Sequence, residues 1–393
     1  PTRTDEPNVS NDRVLFGGIS VYLEQYVPFF RKTPPWLDGL WDSDLALRLA
    51  SRRSISTSPK MLGEMTVSML KGTAGFQEKE ITKMLDWLGR ETAPDIVSLP
   101  YSLLISLAAP IKKLLDRPVC CTLQGEDLFL DGLLEPYRSE ALDLIRANVK
   151  HVDAFIAVSD YYAKFMPDYL SIPREKIRVV PLGINLRGYG SEVKTRENGS
   201  AEPFTVGFFA RIAPEKGLHL LVEAYLKLRA SGDLPAARLA VAGYLAPEHR
   251  KYLSDLERQI KQAGLISEFS YLGAVDRQEK IGFLHGLDVL SVPATYDEPK
   301  GMFVLEAMAC GVPVVQPRRG AFTEIVERTG GGLLVEPDSS ESVAEGILKI
   351  YREPTLAAKL GRSGARNVHD HYTSSVMADR ALEVYDSVLT SRR

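Results

Sequence analysis

Six apolar runs, at residues 204–210, 237–243, 269–273, 287–293, 311–316 and 332–336, punctuate the second half of the chain, each followed by a segment of helical spacing. Strand-length runs alternating with helices predict a parallel sheet wrapped by helices. The runs are continuous rather than alternating, as strands covered on both faces require. The first half repeats the pattern with DIVSLP (95–100), PVCCTLQGED (118–127), AFIAVSD (154–160) and IRVVPLGIN (177–185). The fold class is therefore α/β, with two doubly wound parallel sheets. A chain of 393 residues exceeds a single hydrophobic core and agrees with two domains. Residues 1–186 form the first, 187–203 a polar, glycine-rich and charged linker, 204–370 the second, and 371–393 a terminal helix carrying MADRALEVYDSVL.

Two segments carry candidate chemistry. EPKGMFVLEAMACG places Glu298 on a loop, because Pro299 disfavours helical geometry before it, and predicts a helix from about Gly301. Glu306 then falls in the second turn, roughly 9 Å along the axis, about the span of a sugar plus a diphosphate. The amides of Gly301, Met302 and Phe303 have no intrahelical acceptor and suit an anion or a sugar oxygen. FTVGFFARIAPEKG (204–217) reads as a strand, a basic loop and a helix start, with Arg211 and Lys216 at a strand's carboxyl end. Ligands of open α/β sheets bind there, and a forked guanidinium beside a compact ammonium suits a diphosphate.

In this order, the two segments resemble the second domain of GT-B fold glycosyltransferases, and specifically family 4, the retaining glycosyltransferase group 1. The resemblance extends through GVPVVQPRRGAFTEIVERTGGGLLVEP (311–337) and back through FIAVSD and IRVVPLGIN, covering most of residues 95–390. It implies two Rossmann-like domains facing a cleft, with the terminal helix crossing back onto the first. It also implies retaining transfer of a sugar from a UDP- or GDP-sugar, without a metal or other cofactor. Glu298, Arg211 and Lys216 become the catalytic candidates. Glu306, the 301–303 amides and Lys300 become donor-binding candidates, with Glu298 on sugar hydroxyls, Glu306 on the ribose and Lys300 toward the phosphates.

Three departures from the family qualify this. Family members carry H-G-x-D after the second of the first-half strands, where this chain has Gln124, Gly125, Glu126 and Asp127. Glutamine can bond a sugar hydroxyl but cannot titrate. Asp127 reads equally as an acceptor contact and as a helix-capping aspartate. Many relatives have an aromatic where Lys300 stands. Finally, the family opens on an apolar strand, a glycine turn and a helix, whereas this chain opens on PTRTDEPNVSND, so the early strands, roughly 40 residues, are expected to be missing from the first domain. RVLFGGISVYL (13–23), the rival for an opening strand, reads more as a β-hairpin or edge strand.

Composition narrows the remaining choices. A net charge of −3 with 25% charged residues gives no polyanion preference, so no nucleic-acid partner is expected. Apolar stretches are strand-sized and broken by charge, so no membrane-spanning helix is expected. The expected place is the cytoplasm, with peripheral membrane contact left open. Cys120, Cys121 and Cys310 read as reduced, buried thiols. Trp36, Trp41 and Trp87 read as core or acceptor-cleft lining rather than a cofactor box. Asp42 and Asp44 make a D-x-D at a helix entrance, read as a cap rather than a metal site. No G-x-G-x-x-G follows a strand, which argues against a dehydrogenase. The acceptor is a carbohydrate, a lipid-linked sugar or a small molecule. Gln124 keeps a second reading open, a catalytically silent binder of nucleotide sugars or glycans.

Overall fold

The computed structural model describes residues 18–33, 59–190 and 202–391. Trp36, Trp41, Asp42, Asp44 and most of the expected linker lie outside them. Two compact units emerge, residues 1–158 with 162–180 and 381–393, and residues 159–161 with 181–380.

Among the described residues, the first unit carries α1 (Gly18–Tyr26), α2 (Pro59–Leu70) and α3 (Glu78–Leu88) ahead of its sheet. The hairpin or edge-strand reading of residues 13–23 is corrected over 18–23, which are helical. Alternating β-branched residues there are overridden by tertiary contacts. Arg31 donates from Nε to the Glu24 carbonyl at 2.7 Å and from Nη2 to the Gln25 carbonyl at 2.9 Å, satisfying the last turn's orphan acceptors. The Gln25 side chain in turn accepts from Gln77 Nε2 at 2.9 Å.

The unit's sheet has four parallel strands in the order β1 (Val97–Leu99), β2 (Val119–Leu123), β3 (Ala154–Ala157), β4 (Ile177–Val179). No strand precedes Val97 among the described residues. Every β3 side chain is buried, as the continuous apolar run requires. Connecting helices are α4 (Ala108–Leu115), α5 (Asp127–Asp131), α6 (Tyr137–Asn148) and α7 (Asp160–Leu170). Cys120 and Cys121 are buried free thiols on β2, and burial pushes Cys120 up to about 12.

The second unit carries all six strands expected from the sequence: β5 (Phe204–Phe209), β6 (Ala237–Ala242), β7 (Phe269–Tyr271), β8 (Val289–Leu290), β9 (Val314–Pro317) and β10 (Gly332–Val335). The sheet is parallel throughout, in the order β10-β9-β8-β5-β6-β7. The helices are α8 (Leu218–Ala230), α9 (Arg250–Gln262), α10 (Arg277–His285), α11 (Met302–Ala309), α12 (Gly320–Thr329), α13 (Ser340–Arg352), α14 (Pro354–His371) and the start of α15 (Ser374–Thr390), whose residues from 381 onward belong to the first unit.

Strand order decides where chemistry can sit. From β5 the chain runs outward through β6 and β7, then returns to β5's other side for β8, β9 and β10. The order reverses between β5 and β8, which pair with Val206 opposite Val289 and Gly207 opposite Leu290. A crevice opens outside the carboxyl ends of strands at such a switch point. The loops leaving β5 and β8 are the two motif-bearing segments of the sequence.

Candidate active site

Backbone contacts lace these two loops together. The Thr295 amide donates to the Glu215 carbonyl at 2.9 Å. Gly217, at φ 75°, passes so close to the β8 loop that a Cβ there would lie 1.9 Å from the Pro293 carbonyl oxygen. Only glycine tolerates both the left-handed backbone and this approach. It starts α8 and fixes the preceding Lys216 against the second loop.

Lys216 Nζ lies 2.6 Å from Glu298 Oε2, with the lysine 8% and the glutamate 5% exposed. The Tyr296 hydroxyl joins both, accepting from Lys216 Nζ and donating to Glu298 Oε2. Glu298 Oε1 accepts the Lys300 amide at 3.3 Å. The ammonium also stands 4.8 Å from the Tyr296 ring centroid and 5.6 Å from that of Phe303. Burial alone would raise the Glu298 carboxyl. The Lys216 charge and the bonds from Lys216, Tyr296 and the Lys300 amide outweigh it, leaving the group below its ordinary value. The Tyr296 hydroxyl is pushed upward by burial and then by the Glu298 charge, so it remains a donor.

Helix α11 begins as expected. Gly301 is its N-cap in the left-handed region at φ 63°. The amides of Gly301, Met302 and Phe303 make no hydrogen bond among the described residues. Glu306 sits in the second turn, where Lys280 Nζ lies 2.7 Å from its Oε1 and the Tyr189 hydroxyl donates to the same oxygen at 3.3 Å.

Other candidates are placed differently. Arg211 is 56% exposed in its side chain and faces Glu215 at 3.2 Å, bonding neither Glu298 nor Glu306. The Lys300 side chain, half-buried, pairs with no carboxylate among the described residues. In the first unit, Gln124 Nε2 donates to the Pro100 carbonyl at 2.7 Å. Asp127 accepts from the Tyr162 hydroxyl at 2.6 Å, and burial raises its carboxyl despite that bond. Trp87 is half-buried, and its Nε1 makes no hydrogen bond among the described residues.

Sequence reading missed five contributors, among them the Tyr189 that bonds Glu306. Tyr296 stands two residues before Glu298, a spacing that puts both side chains on one side of an extended segment, which was the available signal. Gly320 carries the Glu298 backbone, whose carbonyl accepts the Ala321 amide at 2.8 Å. Lys280 lies in no motif. Glu126, skipped in favour of its neighbours, is 5% exposed and accepts the Ser102 amide at 2.9 Å and the Gln124 amide at 2.7 Å. It thereby sets the loop that presents Gln124.

Two Rossmann-like parallel-sheet units, the second with a lysine–glutamate pair and open helix amides at its switch point, define a glycosyltransferase of GT-B architecture. Residues 191–367 match the model of the glycosyl transferases group 1, and residues 74–187 that of glycosyltransferase family 4. The chain belongs to this family and is a transferase enzyme. An uncharacterized glycosyltransferase of Methanocaldococcus jannaschii is 24% identical over 321 residues, covering 79% of this chain and 80% of the relative. A D-inositol 3-phosphate glycosyltransferase of Jonesia denitrificans is 28% identical over 249 residues, covering 61% of this chain and 58% of the relative. Among solved structures, Anabaena HepE in complex with UDP superposes with a TM-score of 0.66 at 21% identity, over 80% of this chain and 84% of that one. Among the described residues no helix is long and apolar enough to cross a membrane, and no three His, Cys, Asp or Glu side chains group as metal ligands.

Proposed function

We propose that the chain transfers a hexose from a UDP- or GDP-sugar to a carbohydrate, lipid-linked or small-molecule acceptor, with retention at the anomeric carbon and without a metal. The buried Lys216–Glu298 pair beside the open amides of α11 carries the reading. Breaking the sugar–phosphate bond builds negative charge on the departing diphosphate and positive character at the anomeric carbon. Lys216 and the amides of residues 301–303 oppose the first charge, with Arg211 and Lys300 adding their fields from the rim. Glu298 holds hydroxyls of the transferred sugar, and Glu306 bonds the ribose. The acceptor oxygen bonds the anomeric carbon as the carbon–phosphate oxygen bond breaks. The acceptor's proton passes to the leaving phosphate, so no titrating group is demanded at Gln124. UDP in the Anabaena structure supports a nucleotide donor.

Titration calorimetry with UDP, GDP, ADP and their sugars, followed by an acceptor screen with the donor that binds, tests the reading. Binding of one base class with transfer or slow donor hydrolysis supports it, and no binding to folded protein overturns it. Gln124, a residue that cannot titrate, motivates a second reading, a silent nucleotide-sugar or glycan binder, which would bind donor and neither transfer nor hydrolyse it.

A further inference from the structure

The two oxygens of Glu306 are unequal. Lys280 and Tyr189 both bond Oε1, and Oε2 accepts no hydrogen bond among the described residues. The ion pair is largely enclosed, with side-chain exposures of 18% for Lys280 and 14% for Glu306. A carboxylate held on one oxygen by a cation and a hydroxyl cannot turn freely, and its remaining lone pairs have a fixed direction.

The grip is itself built from α10. Asp276 and Glu279 form a capping box at its start: the Asp276 side chain accepts the Glu279 amide at 2.9 Å, and the Glu279 side chain accepts the Asp276 amide at 2.8 Å. That fixes the first turn, from which Arg277 and Lys280, three residues apart, project on one face. Arg277 Nη2 donates to the carbonyls of Asn185 at 2.8 Å and Arg187 at 2.6 Å. Its guanidinium lies 5.3 Å from the Tyr189 ring centroid. Arg277 thus anchors the segment whose tyrosine reaches Glu306, while Lys280 reaches the same oxygen directly. Burial, and then the Glu306 charge, push the Tyr189 hydroxyl upward, so it stays a donor.

Resting on the nucleotide-sugar reading, we propose that Lys280 and Tyr189 are positioning residues for Glu306. They occupy Oε1 and present Oε2 alone to the vicinal hydroxyls of the donor's pentose. An ordinary structural ion pair would support α10 against α11 but would be indifferent to the ligand's hydroxyls.

That difference is measurable by titrating UDP and GDP, and the 2′,3′-dideoxy counterpart of whichever binds, into wild type, Lys280→Met, Lys280→Arg and Tyr189→Phe, with thermal midpoints recorded for each. Lys280→Met is expected to weaken the nucleoside diphosphate about tenfold while leaving the dideoxy ligand within about twofold. Its KM for donor rises and kcat changes little, and Lys280→Arg recovers most of the affinity. Tyr189→Phe gives the same pattern at a few-fold. Equal loss for both ligands, or none for either, in Lys280→Met and in the folded Tyr189→Phe variant overturns the positioning role alone. A wild type that binds no nucleoside diphosphate overturns the underlying reading with it.

Discussion

Gly320 and Glu298 meet backbone to backbone: a Cβ on Gly320 would lie 2.5 Å from the Glu298 carbonyl oxygen and 2.7 Å from its nitrogen. The first residue of α12, at φ 50°, therefore forms the floor under the site's buried carboxylate. Gly320→Ala combines left-handed strain with a backbone clash, and both are relieved only by moving the Glu298 loop. The variant is expected to lose about 2 kcal/mol of stability and at least about tenfold in kcat. Denaturant melts and steady-state rates check this.

Glu298 and Glu306 are expected to separate turnover from binding. Glu298→Ala lowers kcat more than it weakens nucleotide binding, whereas Glu306→Ala weakens binding foremost. Lys216→Met, which removes a donor to the leaving group, raises the barrier by about 3 kcal/mol, on the order of a hundredfold in kcat. Calorimetry beside initial rates distinguishes the three, and wild-type kinetics in both glutamate variants would refute the assignment.

Acid stability follows from the depressed Glu298 carboxyl. Its ordinary value is 4.5, and in the folded chain it titrates lower. As pH falls through that value the unfolded chain takes up a proton that the folded chain still refuses. The pair's stabilisation is therefore complete above the ordinary value and is lost as pH drops through the folded one. Between about pH 5.5 and about pH 3.5 the thermal midpoint of the wild type is expected to fall more steeply than that of Glu298→Gln. Parallel slopes would refute this.

Gln124 works in the first unit, and its side chain bonds the Pro100 carbonyl. Gln124→Ala is expected to lose about 1 kcal/mol of stability. Affinity for the nucleoside diphosphate alone stays unchanged, because Lys216, Tyr296, Glu298 and Glu306 all belong to the second unit. A melt and a nucleotide titration on the same preparation check both parts.

Much of the second unit was legible because its central strands β8 and β9 are buried on both faces and written as unbroken apolar runs, while the outer strands β6, β7 and β10 keep enough apolar residues to read as strands despite partial exposure. The α11 start was legible for a different reason, since Pro299 and Gly301 impose local backbone geometry regardless of packing. Residues 18–23 were misread, where a guanidinium seven residues after Glu24 stabilises a helix whose own pattern is ambiguous. Lys280 and Tyr189 were invisible for a stricter reason. Their significance lies in meeting Glu306 from two other segments, and no local pattern encodes that meeting.

The buried Lys216–Glu298 pair is self-neutralising, and on the nucleotide-sugar reading this turns the site into a conjunction gate. Any ligand that draws Lys216 away strands a buried carboxylate unless it also supplies hydroxyls to replace the lost partner. A bare phosphate offers the first and not the second, and a free sugar offers the second and not the first. On the nucleotide-sugar reading, a ligand carrying an anion and a polyol on one scaffold meets both halves at once, and bare phosphate and free monosaccharides are disfavoured without any steric barrier.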